Sequence, residues 1–395
     1  MLAVDQPEFW QNPYPALARA RAQGRTAVTA RGETVVLRAD DFDAVHSDPA
    51  FQQPGLLALE RLGVTEGPFY EWRSLSMAAH DGAVHDRLRS CVIKAFTPRR
   101  VAVVRAEFDA HVRDVLHRLS KTETFDVVAD IADDLPLWLI CRFLGLPVDA
   151  RSDIAAFLVG TEAGFVDPLT AKARATAEEG IVSLGGYVEK LIAEREASRR
   201  SDLVSDLLDA EGEGRLNRAE LVALVVNVLG GAVGSSRAGI VNTILLLLQN
   251  PDQAAWIAGD PARIAAAVEE CLRYHPPFRS GRKLAAADNH VLGVDVKAGE
   301  TVFLARQSAN RDPSRWPDPD TFDVTRPAQR HYSFGYGPHF CVGQALARLD
   351  IEGALAAFLE LLPQARLLTL EPERVPFTPD EQIRELLVAP RRSPS

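Results

Sequence analysis

The ten residues Phe334-Gly335-Tyr336-Gly337-Pro338-His339-Phe340-Cys341-Val342-Gly343 constrain this chain more than any other stretch. Three glycines and one proline in ten positions exclude a regular helix or strand. Glycine loses too much backbone entropy in either, and proline lacks the N–H that either requires. The stretch therefore specifies a tight, fixed loop with one cysteine near its end. From Gln344 the pattern turns helical: Leu346, Leu349 and Gly353 fall on one face, Arg348 and Glu352 on another. Cys341 thus sits at or just before a helix N-terminus, where the dipole and free N–H groups stabilise a thiolate. A thiolate so placed is a metal ligand or a nucleophile. No second cysteine stands at metal-finger spacing, which argues against zinc. In isolation, Cys341 reads as a small buried hydrophobe.

The surrounding residues decide otherwise. Phe334, Gly337, His339, Cys341 and Gly343 spell Phe-x-x-Gly-x-His-x-Cys-x-Gly. This resembles the haem-binding signature of the cytochrome P-450 superfamily at every fixed position. The resemblance implies haem b with Cys341 as the proximal thiolate ligand of its iron, a ligand that favours O–O cleavage. It implies that Phe334 packs on the proximal haem face and that His339 reaches a propionate. The glycines, Gly343 included, would let the backbone pass close to the porphyrin. The implied fold is mainly α with smaller β-sheet regions. It is a single domain over residues 1–395, with haem between a long central helix and the helix after the cysteine.

Composition agrees with a soluble protein of this kind. Of 395 residues, 47% are apolar and 25% charged, enough for a full core, and no Gly/Ser/Pro-rich linker divides the chain. A net charge of −10 argues against nucleic acid as a partner. Cys91, Cys141, Cys271 and Cys341 lie far apart and form no disulfide framework, which points to the reducing cytoplasm. The N-terminus, Met1 to Pro7, has neither a basic n-region nor an apolar core, so neither a signal peptide nor an anchor is expected. Leu221 to Leu248 is apolar and long enough to span a bilayer. Ser235, Ser236 and Arg237 at its midpoint would be costly in lipid, so it reads as a buried core helix. The resemblance then points to the soluble bacterial-type members, acting as a monomer.

Along the chain, apolar spacing predicts helices over 12–23, 41–46, 103–119, 134–144, 150–163 and 172–195, with Pro147 and Pro168 as punctuation. A hairpin is predicted over 26–38, turning at Arg31-Gly32. Residues 51–79 show no clear period and read as a loop with short helical pieces. Strand-like runs occur at 291–292, 301–304, 366–370 and 386–389.

Three further segments carry the resemblance. His85 and Arg89 are four apart, hence neighbours on a helix face, and match the family's His-x-x-x-Arg pair for haem propionates. Gly82 and Ala83 replace the family's prolines before them. Glu270 and Arg273 match Glu-x-x-Arg, a buried pair joined by a later arginine, here Arg326. These three are assigned to holding the cysteine loop, since a buried charge is tolerable only when paired. Arg282 matches the third propionate arginine.

One segment departs from the pattern. The family's central helix carries Gly-x-Asp/Glu-Thr, whose acid and alcohol deliver protons during dioxygen reduction. Here it reads Gly230-Gly231-Ala232-Val233-Gly234-Ser235-Ser236. Gly231, Gly234 and Ser235 occupy the catalytic positions, so the hydroxyl survives and the carboxylate does not. Gly234 also weakens the helix where a bulge is expected. The expected activity is a haem-thiolate monooxygenase that hydroxylates or oxidatively demethylates a small organic substrate. No flavin or iron–sulfur segment is present, so electrons would come from a separate ferredoxin and reductase. The alternatives are a peroxygenase or atypical haem-thiolate enzyme, and a haem protein that binds a ligand without turnover. The stretch Pro68 to Ser76 is aromatic, with Arg73 and Ser76 suited to a carboxylate by charge-assisted hydrogen bonds. That predicts an aromatic carboxylic acid as substrate, with Val233, Phe278 and Arg279 as further contacts.

Overall fold

The computed structural model describes residues 1–147, 150–165 and 169–390. The chain is mostly helical with two small sheets. It forms two compact units. One contains Met1–Gln52, Ala106–Leu135 and Ser235 onward; the other contains Gln53–Arg105 and Pro136–Gly234.

Both sheets belong to the first unit. The larger joins β1 (Thr26–Val28), β2 (Thr34–Val36), β3 (Phe51–Gln52), β5 (Gly281–Ala285) and β6 (Thr301–Leu304) in the order β1-β2-β6-β5-β3. Only the β2–β6 pair is parallel. All four residues of β6 are buried, as befits a central strand covered on both faces. The predicted hairpin forms, with Gly32 at φ +83° in its turn, a conformation glycine adopts without strain. The smaller sheet joins β4 (Phe125–Asp126), β8 (Leu387–Ala389) and β7 (Arg366–Leu367). Under the larger sheet Val36, Phe42, Phe51, Leu304, Trp316 and Tyr332 form one apolar core. Each large side chain so buried contributes about 1.5–3 kcal/mol. The run at Val291-Leu292 is no strand. Gly293 at φ +74° turns the chain between the bridged residues Asn289 and Val296, and Leu292 enters the core.

In the second unit every regular element of the described residues is a helix. The long helices Arg151–Glu162 and Ala171–Ala197 cross where two glycines meet. A Cβ on Gly160 would lie 3.1 Å from the Gly180 Cα, so neither position admits a larger residue without separating the helices. Pro168 lies outside the described residues. The stretch 51–79 is more ordered than its composition suggests: Pro68–Leu75 is a helix. Gly67 at φ +98° turns the chain, and Pro68 supplies the fixed φ of the first turn.

The unit boundary at Gly234/Ser235 falls inside one continuous helix, Arg218–Gln249. It carries no bulge at Gly234. By length and composition it is able to cross a membrane. Its Ser236, Asn242 and Thr243 are buried along with Leu221, Leu224, Val225 and Ile240, as in a core helix.

Candidate active site

The cysteine loop is set by its glycines. Gly335 and Gly337 have φ of +74° and +68°, where a side chain would strain the backbone. At Gly337 a Cβ would also approach the His46 carbonyl to 3.4 Å. The Cys341 N–H donates to the Phe334 carbonyl (2.9 Å), and Phe340 N–H to that of Gly337 (3.0 Å), closing the loop on itself. Gly343 then caps the helix Gln344–Leu361. Of the four free cysteines, only Cys341 is not buried. Burial pushes the Cys141 thiol up to about 12 and Cys271 still higher, so both are inert.

Two braces hold this loop. In the first, Glu270 takes both forks of Arg273 (2.7 and 2.8 Å), Arg326 Nε lies 3.5 Å from the same carboxylate, and Glu270 and Arg273 are 4% and 2% exposed. Arg273 also donates to the Asn310 carbonyl (2.9 Å). The Asn310 side chain in turn accepts from Tyr332 N–H (2.7 Å) and donates to Ser333 Oγ (3.0 Å), directly before Phe334. The structure thus brings Glu270, Arg273 and Arg326 together behind the loop. The second brace escaped sequence reasoning. Glu269 takes both forks of Arg348 (2.6 and 2.9 Å) and lies 3.2 Å from His331 Nε2. The Arg348 guanidinium lies 4.4 Å from the centre of the Phe334 ring. Burial opposes the Glu269 charge, yet His331 and Arg348 outweigh it and hold the carboxyl down at about 2.

Arg282 faces outward, 43% exposed, and pairs with Glu33 (2.9 Å). Side chains alternate along β5, so Lys283 is the residue that turns inward, 6% exposed. That alternation was the available signal. Arg306, just after β6, donates to the Phe278 carbonyl (3.3 Å) and leaves its Nε buried without a partner. Burial lowers it to about 10, and only the charge of Cys341 opposes that shift. Burial, with Lys283 and Arg306 adding to it, also lowers His46 to about 4, so His46 is neutral beside Tyr336 of the loop, its ring 5.8 Å away. Phe278 is 36% exposed with Arg306 over its ring. Arg279, predicted as a substrate contact, is 1% exposed, donates to the Val375 carbonyl (2.9 Å) and lies over the Trp10 ring. His339 is half-buried in the loop.

In the second unit, His85 is 1% exposed on the helix Gly82–Ile93, with Nδ1 3.0 Å from Asp86, and Arg89 is half-buried one turn on. On the helix Pro68–Leu75, Arg73 reaches Ser76 Oγ (3.4 Å) and the Ala78 carbonyl (3.5 Å). Ser76 is fully buried and donates to Asn227 Oδ1 (2.8 Å) on the long helix. Arg73 forms no ion pair with any carboxylate of the described residues, and burial alone lowers its pKa. The Trp72 indole N–H beside it is buried without a partner. Phe69, Trp72 and Phe165 pack ring against ring at 5.4–6.2 Å. On the long helix Gly231 is exposed, Val233 and Ser235 are half-buried, and Gly234 is buried.

The chain is similar to proteins of known class. A sequence model described as "Cytochrome P450" matches residues 264–386. "Cytochrome P450 monooxygenase PikC" of Streptomyces venezuelae is 32% identical over 98% of this chain and 92% of its own. The chain belongs to the cytochrome P-450 family. "6-deoxyerythronolide B hydroxylase" of Saccharopolyspora erythraea is 34% identical over 81% of this chain and 79% of its own. The solved structure "Crystal Structure of P450BioI in complex with hexadec-9Z-enoic acid ligated Acyl Carrier Protein" superposes with a TM-score of 0.90 at 27% identity, over 97% of this chain and 99% of that one. This P-450 is therefore a monooxygenase, and a ligand-binding protein without turnover gives way to an enzyme. Family members carry haem, which supplies oxidising power at an iron held by thiolate. The residues fit that group. Cys341 is the one cysteine not buried, on a loop turned by glycines at positive φ. Beside it stands Arg306, a desolvated arginine that no carboxylate of the described residues neutralises.

Proposed function

We propose that this P-450 binds haem b through Cys341 and hydroxylates or oxidatively demethylates a small, carboxylate-bearing, preferably aromatic substrate. The observation that carries the substrate reading is Arg73, a desolvated arginine with no carboxylate partner among the described residues. A guanidinium partly withdrawn from water without a counter-charge is costly. A substrate carboxylate would remove that cost, with Ser76 beside it and the Trp72 N–H as a further unused donor. Phe69, Trp72 and Phe165 supply an aromatic wall, and Val233 is assigned to the same substrate. Toward haem, we assign Phe334, His339 and Gly343 to the cysteine side and His85 and Arg89 to propionates. Because Arg282 is engaged with Glu33, Lys283 and Arg306 take its assigned place. Electrons would come from a separate ferredoxin and reductase in the cytoplasm, with the enzyme soluble and monomeric. Gly234 favours a second reading, in which hydrogen peroxide is the oxidant. That reading requires peroxide alone to sustain faster turnover than the ferredoxin chain.

The substrate test is a titration of benzoic-acid-type ligands, their methyl esters and hexadec-9-enoic acid, followed by the haem spin state. Hexadecenoic acid is included because it is the acyl group carried in the P450BioI complex. The aromatic acids should bind best, and Arg73→Ala should weaken them roughly ten- to hundred-fold, as expected for about 1.5–3 kcal/mol of charged hydrogen bonding. Tighter binding of esters, or unchanged acid affinity in Arg73→Ala, refutes the carboxylate. Preference for hexadecenoic acid refutes the aromatic part.

A further inference from the structure

The helix Arg306–Ala309 has only four residues, too few to hold its own direction. What places Arg306 beside Cys341 must therefore come from outside that helix. The next residue, Gln307, is 3% exposed and donates through Nε2 to Glu381 Oε2 (2.9 Å). Glu381 is 2% exposed, and its other oxygen accepts from Arg374 Nε (2.9 Å) and lies 3.2 Å from His275 Nδ1. Arg374 is itself fixed to the first helix, Pro7–Gln11: the Gln11 side chain donates to its carbonyl (2.7 Å) and accepts from its N–H (3.0 Å). The same cluster grips the backbone around Phe278. The Glu381 N–H donates to the Pro277 carbonyl (2.6 Å), the Arg279 N–H to that of Pro379 (3.2 Å), and the Gln307 N–H to that of Arg279 (3.3 Å). The Phe278 carbonyl, in the middle, accepts from Arg306 (3.3 Å). Between Arg374 and Glu381 the chain turns through Phe377 at φ +63°, a backbone that an aromatic residue takes only when its surroundings impose it. All of these residues belong to the first unit.

We propose that Glu381 is a positioning residue for the haem side, fixing Arg306 through Gln307 and through the backbone of Pro277, Phe278 and Arg279. The link is one residue long, since Gln307 carries the tie to Glu381 and Arg306 precedes it. The far end of the short helix is held separately: Ser308 Oγ donates to the Leu37 carbonyl (2.8 Å) and accepts from Arg21 (2.9 Å). Loss of Glu381 thus frees the Arg306 end and leaves the Ser308 end in place. Arg306 would then exchange one fixed direction for several rotamers, and any contact it makes with haem would carry the entropy of ordering it again. Replacing Gln307 by methionine cuts the same link while leaving Glu381 paired with Arg374 and His275, so no buried charge loses its partner.

The inference rests on the assignment of Arg306 to haem, and its test separates the two. The measurement is the rate of haem loss to an apo-globin acceptor, which needs no substrate and no turnover. Glu381→Gln and Gln307→Met should each speed that loss roughly three- to ten-fold in a chain that keeps Arg306. Arg306→Ala alone should speed it roughly ten- to hundred-fold. Added to Arg306→Ala, neither variant should change the rate by more than about two-fold, because the residue through which both act is gone. A cluster that only stabilised the fold would multiply with Arg306→Ala, and that result overturns the proposal. An unchanged rate in Gln307→Met overturns it too, and this variant carries the test if Glu381→Gln does not fold. Failure of the underlying assignment looks different: Arg306→Ala itself would leave haem loss unchanged, and the inference would fall with it. Multiplying effects beside a fast Arg306→Ala overturn the inference alone.

Discussion

At the scale of single residues, what matters is which charge lacks a partner. Arg282 and Arg306 both flank the cysteine loop's side of the sheet, yet Arg282 pairs with the Glu33 carboxylate while Arg306 donates to the Phe278 carbonyl. The 43% exposure of Arg282 leaves its pair worth little, since water screens it. Arg306 is desolvated, with its Nε unused. Arg306→Ala should therefore speed haem loss to an apo-globin acceptor roughly ten- to hundred-fold, the equivalent of about 1.5–3 kcal/mol of charged hydrogen bonding. Arg282→Ala should change it by less than about two-fold. The reverse ranking would return the role to Arg282. The sequence made Arg282 the natural choice because it stands in the matching segment. Which of two adjacent residues points inward depends on strand register, and a shift of one residue reverses every side chain. Arg73 and Ser76 were legible, because aromatic neighbours around an arginine are themselves a composition signal.

At the scale of elements, the cysteine loop is a short irregular segment fixed from two helices. Glu269 and Glu270 are consecutive on the helix Ile264–Tyr274, so they lie about 100° apart and brace different sides. Glu270 with Arg273 was readable as an i, i+3 pair. Glu269 was not, because its partners Arg348 and His331 are far along the chain. Glu269→Gln should cost about 2–3 kcal/mol at neutral pH, since it leaves Arg348 and His331 without their carboxylate. The pH dependence follows from the direction of the shift. The folded carboxyl is held at about 2, below its ordinary value of 4.5, so its contribution is full above about 4.5 and fades as pH falls toward 2. Denaturant unfolding at a series of pH values should show the gap between wild type and Glu269→Gln closing over that window. Glu381, also held low, remains in both proteins and cancels in the difference. A gap independent of pH would show that the charge of Glu269 is not what braces the loop. The segment Pro68–Leu75 is one of the short helical pieces expected within 51–79. Eight residues are too few to display a period, so its bounds were not legible although Gly67-Pro68 marks its start.

At the scale of the whole molecule, the fold class and the enzyme class were legible from the sequence, because a ten-residue loop around Cys341 combines rare residue types at fixed spacing. PikC and the P450BioI structure match over nearly the whole chain and agree with it. The long helix Arg218–Gln249 was readable as a core element from its interrupted polarity. Its unbroken course through Gly234 was not, since glycine lowers propensity by about 1 kcal/mol and tertiary packing overrides that. The account depends most on Cys341 as the thiolate ligand of haem. The direct measurement is the absorbance spectrum of the dithionite-reduced, CO-bound protein beside Cys341→Ala and Cys341→His. Wild type should show the far-red-shifted Soret band of thiolate ligation, and both variants should lose it while keeping their helical circular dichroism. A normal thiolate-type band in Cys341→Ala, or none in the haem-loaded wild type, would contradict the account.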